Sequence, residues 1–231
     1  TSGNIIYIDQ VGNNNTVTIT QVGTKNKVAG TGQAAAPIVG DGNTVTIRQG
    51  DPSGTTTKGN VTEFGIYGSY NTVNLNQGTD STGNHTGQDI GGHYIYNYVN
   101  GSNNSVTASQ QNTTTSTTGQ FLSNTVNGNN NTQNFVQSGA GGHQIFSTVT
   151  GDSNTMSVAQ SGNGGHYLSV TEYGNGNDAQ VTQSGNSKNN ATINLTNAGA
   201  PASVTLQQSG GAVYNIDRTC TTTCGRVTVS Q

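Results

Sequence analysis

Polar and apolar residues alternate along this chain in seven-residue blocks that close on glutamine. The blocks end at Gln21, Gln49, Gln77, Gln110, Gln137, Gln160, Gln183, Gln208 and Gln231. Seven of the nine open on an asparagine six residues earlier, at Asn15, Asn43, Asn71, Asn104, Asn131, Asn154 and Asn177, so the unit reads N-x-h-x-h-x-Q with h mostly apolar. Strict alternation over seven residues rich in Val, Ile and Thr predicts a strand with one buried face, and no segment sustains the 3.6-residue period of a helix. Side chains alternate across a strand, so Asn15, Val17, Ile19 and Gln21 share the inward face, opposite Thr16, Thr18 and Thr20.

A looser copy of the block precedes each of these, usually 11 residues upstream. First blocks are placed at 4, 32, 57, 93, 120, 143, 166, 191 and 214, and second blocks at 15, 43, 71, 104, 131, 154, 177, 202 and 225, with a longer third unit ascribed to an insertion around Ile66 to Tyr70. Glycines at Gly12, Gly40, Gly65, Gly101, Gly128, Gly151, Gly174 and Gly199 are expected to turn the arcs between the two strands. One strand-arc-strand unit cannot bury its own apolar face, so the units must stack. The expected fold is all-β: a single domain over residues 1–231, folded as a flattened parallel β-solenoid of nine rungs with two sheets and amyloid-like stacking. At about 4.8 Å per rung the stack would be roughly 43 Å long. A buried amide carries a desolvation cost, which a column of identical amides offsets by bonding rung to rung.

Composition alone points the other way. With 29% hydrophobic residues and 34 glycines the chain resembles a disordered one, but the ordering of its residues restores a buried face. Only 7% of residues are charged and the net charge is -3, which leaves no basic stripe for nucleic acid and no polybasic patch for a membrane surface. No apolar run approaches the roughly 20 residues of a membrane helix, and the start at Thr1 without a leader pattern reads as a processed chain. The two cysteines, Cys220 and Cys224, fit either a disulfide in an oxidising compartment or an intracellular thiol pair.

The stretch from Gln10 to Gln21, Q-V-G-N-N-N-T-V-T-I-T-Q, resembles a curlin repeat, whose pattern is Q-x-G-x-x-N-x-A-x-x-x-Q. Similar stretches run from Glu63 to Gln77, Val99 to Gln110, Val149 to Gln160 and Glu172 to Gln183, so the resemblance extends along nearly the whole chain. It implies a secreted subunit of curli-like fibres, which polymerise into amyloid-like filaments in biofilm matrix and adhere to surfaces. First strands that end in Val or Glu rather than Gln, and several long connections, depart from the pattern.

Few residues suggest chemistry. Gly-Gly-His occurs three times, placing His93, His143 and His166 at the first position of a first strand; His143 and His166 fall on adjacent rungs, but no Cys or carboxylate accompanies them at ligand spacing. They read as replacements for Asn4. Glu63 and Glu172 stand at the Gln position by the arc, four rungs apart, too far for a catalytic pair. A Cys220–Cys224 bridge would clamp an arc that has Thr222 where glycine is usual, and two thiols cannot complete a zinc site. Tyr94, Tyr96 and Tyr98 project outward from one rung, with Tyr7, Phe121, Phe146 and Tyr167 elsewhere, marking either a contact surface or a patch beneath the Gly78 to Gly92 loop. The outward threonines are too irregular for a flat ice-binding face: the column Thr18, Thr46, Asn74 already loses them.

A monomeric solenoid usually carries an atypical polar cap, and the repeat here runs from Asn4 to Gln231. The expectation is a structural subunit that polymerises with itself, head to tail, in an extracellular fibre. The alternative is a non-polymerising or virion-attached adhesin that binds glycans through its aromatic face. No nucleophile-base set, phosphate loop, metal quartet or cofactor motif argues for an enzyme.

Overall fold

A computed structural model describes residues 3–50, 58–78, 91–113 and 118–231. Two parallel sheets face each other across a thin core, and the chain winds between them as a β-solenoid. The second strands form one nine-stranded sheet: Thr16–Gln21, Thr44–Gln49, Thr72–Gln77, Ser105–Gln111, Thr132–Ser138, Thr155–Ser161, Asp178–Gln183, Ser203–Gln208 and Arg226–Ser230. Their register runs Thr16, Thr44, Thr72, Ser105, Thr132, Thr155, Asp178, Ser203, Arg226, so all nine second-block positions read from the sequence fall in one column. Among the described residues there is no α-helix, only a 3-10 turn at Thr31–Gln33.

The first strands make the other sheet: Ile5–Ile6 with Ile8–Val11, Lys27–Ala29 with Ala36–Val39, then Val61–Tyr67, Tyr94–Asn100, Phe121–Asn127, Gln144–Thr150, Tyr167–Tyr173, Asn190–Asn197 and Val213–Cys220. Pairing places Asn4, Asn26, Asn60, His93, Gln120, His143, His166, Asn189 and Ala212 in the opening column, one residue before each paired register. Four rung starts are therefore corrected. The second is 26, not 32, because residues 30–35 leave the sheet through the 3-10 turn and the strand resumes at Ala36. Residue 57 lies outside the described residues, and the third rung's opening position is Asn60. The eighth and ninth are 189 and 212 rather than 191 and 214, an even shift that keeps the same side chains inward.

The insertion accordingly belongs to the second rung, not to Ile66 through Tyr70, since Asn60 and Asn71 keep the usual 11-residue offset. Gly65 is not an arc residue. It pairs with Tyr98 inside a strand, and the arc glycine of that rung is Gly68, next above Gly40 and below Gly101. Gly199 also leaves the column, where Asn197 stands above Gly174 and the eighth arc is longer. At Gly68 the requirement is double: φ is 134°, and an added Cβ would sit 2.0 Å from the carbonyl oxygen of Gly101. Alternating inward residues such as Val45, Ile47, Leu75, Ile95, Leu122, Phe135, Ile145 and Leu168 form one core, each fully or almost fully buried.

Candidate functional site

The amides do more than stack. Each glutamine of the second sheet donates from Nε2 to Oε1 of the glutamine in the following rung: Gln21 to Gln49 at 2.8 Å, Gln49 to Gln77 at 2.9 Å, Gln77 to Gln110 at 3.1 Å, Gln110 to Gln137 at 2.9 Å, Gln137 to Gln160 at 3.0 Å, then Gln160 to Gln183 and Gln183 to Gln208 at 2.8 Å. Nε2 also donates across the core to a first-strand carbonyl of its own rung, as Gln110 does to Tyr94 at 3.0 Å and Gln137 to Phe121 at 2.9 Å. One side chain thus ties rung to rung and sheet to sheet, which satisfies a buried amide in full. Gln231 is the exception. It is exposed, accepts from the Tyr214 hydroxyl at 3.1 Å, and does not join the column.

The asparagine column runs with the opposite polarity. Asn43 donates from its backbone N–H at 2.8 Å and from Nδ2 at 3.1 Å to Oδ1 of Asn15, and the same pair links Asn71 to Asn43, Asn104 to Asn71, Asn131 to Asn104 and Asn154 to Asn131. Nδ2 also reaches the arc glycine carbonyl of the next rung, from Asn43 to Gly68 at 2.9 Å and from Asn71 to Gly101 at 2.8 Å. The column closes when Asn177 Oδ1 accepts from the backbone of Ala202 at 2.9 Å, since neither Ala202 nor Gly225 offers a further acceptor.

A third column lines the opposite edge. In each rung a side-chain acceptor takes the backbone N–H of the next: Asn4 from Asn26, Asn26 from Asn60, Asn60 from His93, His93 Nδ1 from Gln120, Gln120 Oε1 from His143, His143 Nδ1 from His166, His166 Nδ1 from Asn189, and Asn189 from Ala212. Histidine serves because its Nδ1 lone pair sits where an asparagine Oδ1 would. That role puts the proton on Nε2, which His143 directs to the carbonyls of Ser138 and Gly162 at 3.0 and 3.1 Å, and His166 to Ser161 at 2.9 Å. Both nitrogens of His143 and of His166 are engaged, and the rings stack at 4.8 Å. Burial, then the neighbouring His166, lowers the His143 pKa to about 4; burial lowers that of His166. Among the described residues no three His, Cys, Asp or Glu side chains gather to hold a metal.

Glu63 and Glu172 do not share a position. Glu63 points outward in mid-strand, paired with Tyr96, while Glu172 is fully buried between Val149 and Leu195. Neither oxygen of Glu172 has a hydrogen-bond partner among the described residues. Burial, reinforced by the charge of Asp178, pushes its pKa up to about 9, so the carboxyl is neutral at pH 7.

Cys220 and Cys224 are joined by a disulfide that closes the ninth arc, with Cα atoms 6.0 Å apart. On the outer face, rings continue from rung to rung: Tyr94 lies parallel to Phe121 at 5.4 Å, and Phe121, Phe146 and Tyr167 follow at 5.2 and 5.6 Å. Burial and the adjacent Glu63 raise the Tyr94 hydroxyl to about 12. Residues 79–90, within the loop considered as a cover for this face, lie outside the described residues.

The two terminal rungs leave core positions half-exposed. Ile8, Val17 and Ile19 at one end and Tyr214, Ile216, Val227 and Val229 at the other pack on the core on one side only. No helix among the described residues is long and apolar enough to cross a membrane.

No curated protein and no solved structure matches the chain. A family of curlin associated repeats matches it over residues 1–23 and again over 12–50, a span that holds the first Gln and Asn contacts of the columns just described. Residues 1–50 are thus similar to curlin associated repeats, and the rungs that follow continue the same parallel β-solenoid.

Proposed function

We propose that this chain is the structural subunit of an extracellular curli-like fibre, and that it polymerises head to tail, the ninth rung of one copy meeting the first rung of the next. The observation that carries this reading is the match between the two open rungs. Continuing the register, Tyr214 falls under Ile6, Ile216 under Ile8, Val227 under Val17, Val229 under Ile19 and Gln231 under Gln21. Apolar meets apolar in four columns, and in the fifth Gln231 would leave Tyr214 and turn inward to meet Gln21. Each half-exposed side chain that becomes covered contributes on the order of 1 kcal/mol, and the open strand edges add backbone pairing.

The junction is also the weakest plane of the fibre. Ala212 and Gly225 would lie below Asn4 and Asn15, so two of the three amide columns are interrupted once per molecule. Arg218, which follows Glu172 and Leu195 in its column, would face Gln10. Assembly supports roles in biofilm matrix and surface adhesion by supplying a stiff, protease-resistant rod. Negative-stain microscopy and sedimentation of the oxidised chain test the reading: unbranched filaments are expected at high concentration, and a strictly monomeric chain would refute it.

A further inference from the structure

The departures from the repeat are not scattered, and several of them meet at one side chain. The six-residue excursion of the second rung, residues 30–35, brings Thr31 to Tyr98, whose hydroxyl accepts the Thr31 N–H at 2.9 Å and hydrogen-bonds its hydroxyl. Gly65 interrupts a strand, where glycine is unfavourable, and an added Cβ there would lie 2.5 Å from the Tyr98 ring. Pro37 flanks the same space at 3.2 Å from that Cβ position. Tyr96 leans on Tyr98 with centroids 4.7 Å apart. The solenoid needs none of this, because rungs four to seven pair without an excursion or a strand glycine. The insertion, Gly65 and Pro37 together fix the pose of one outward ring.

That ring forms part of the wall of an open groove of about 460 Å³, within the usual range of small-ligand sites. Among the described residues its solvent-reaching lining is Tyr67, Tyr96, Tyr98, Asn100, Thr125 and Asn127, with no charged residue. Tyr67 is 45% exposed and faces the groove from the neighbouring rung. Flat aromatic faces beside neutral amides and hydroxyls suit a ligand that is apolar on one face and hydroxylated at its rim. An anionic ligand would lose its hydration there without gaining a counter-charge from the described lining, and Glu63 beside Tyr96 would repel it. The successive rings of Tyr94, Phe121, Phe146 and Tyr167, the first pair stacked and the others tilted, extend the aromatic surface along the solenoid axis. We propose that the groove over Tyr67, Tyr96 and Tyr98 binds neutral oligosaccharide, one pyranose ring stacking on the tyrosines while Asn100, Thr125 and Asn127 hydrogen-bond its hydroxyls.

The test is calorimetric titration of the dispersed, folded full chain with cellohexaose, maltohexaose and N-acetylchitohexaose, with a hyaluronan hexasaccharide as the anionic comparison. It is read below the concentration at which filaments form, so its outcome is independent of polymerisation. At least one neutral hexasaccharide is expected to bind with Kd below about 1 mM, and Tyr67→Ala and Tyr96→Ala are each expected to weaken it about tenfold with an unchanged thermal midpoint. Gly65→Ala, which displaces Tyr98, should weaken it similarly. Absence of binding by all three neutral sugars, equal binding of hyaluronan, or full binding by the Tyr67→Ala/Tyr96→Ala double variant would overturn the proposal. Should those variants change only the side-by-side bundling of filaments while no sugar binds, the groove is a contact between copies and the proposal is likewise refuted.

Discussion

The interior rungs and the last two solve the same problem with different chemistry. From rung three to rung seven each rung joins its neighbours through three side-chain columns, with Gln77 to Gln183, Asn71 to Asn177 and Asn60 to His166 in place. In rungs eight and nine the asparagine positions hold Ala202 and Gly225, the opening column ends at Ala212, and the final glutamine turns outward to Tyr214. A disulfide stands where the interior uses an arc glycine. The backbone register is the same in both regions, so backbone pairing sets the rung spacing while the amide columns determine how firmly a rung is held.

The comparison is broken most severely by removing an interior amide. Gln110→Leu strands Gln77 Nε2 and Gln137 Oε1 and removes the tie to the Tyr94 carbonyl, and at roughly 1–3 kcal/mol for each unsatisfied buried group the expected loss is about 4 kcal/mol in denaturant unfolding. The same change at Gln231 should stay within about 0.5 kcal/mol, because that side chain is exposed.

Glu172 gives the next largest effect, and its sign is opposite. Its carboxyl titrates near 9 when folded against 4.5 when free, so the stability it contributes is complete below pH 4.5 and is lost as pH rises to 9. Glu172→Gln should therefore be indistinguishable from the parent near pH 4 and more stable by roughly 3 kcal/mol at pH 7. Thermal melts across that range would read it. His143 contributes the reverse slope. Its pKa is lowered to about 4, so its share of stability is present above pH 6.5 and disappears as pH falls to 4, an effect on the order of 3 kcal/mol. His143→Asn supplies an oxygen acceptor that does not titrate in this range and should flatten the acid side of the curve.

Reducing the Cys220–Cys224 bridge should cost about 2 kcal/mol for so short a loop, and the loss should be confined to the ninth rung. Faster amide exchange over Arg226–Ser230, with the interior unchanged, is the expected signature. The smallest change sharpens the comparison: Gly225→Asn with Ala212→Asn restores two missing acceptors. It should leave the monomer almost unaltered and slow filament dissociation.

The second strands were legible in the sequence because two amides six residues apart, Asn43 and Gln49 for instance, must both be amides to donate and accept. The opening column was harder to read. It asks only for one acceptor atom, which Asn60, His93 and Gln120 supply with different side chains, so no single letter marks it. A fixed 11-residue offset places rung starts at 32, 191 and 214, whereas an offset stretched to 14 puts the third at 57 and with it makes Gly65 an arc residue, although Gly65 leaves room for a ring from the next rung. Glu172 could be read as a substituted glutamine position, but its burial depends on neighbours Val149 and Leu195, which only the register reveals.

Hydrogen exchange at the glutamine side chains tests the amide columns most directly. With residue-specific 15N labelling, the Nε2 protons of Gln49, Gln77, Gln110, Gln137, Gln160 and Gln183 are expected to exchange only on global unfolding, and those of Gln231 at the rate of a free amide. Interior glutamines that exchange as fast as Gln231 would contradict the account.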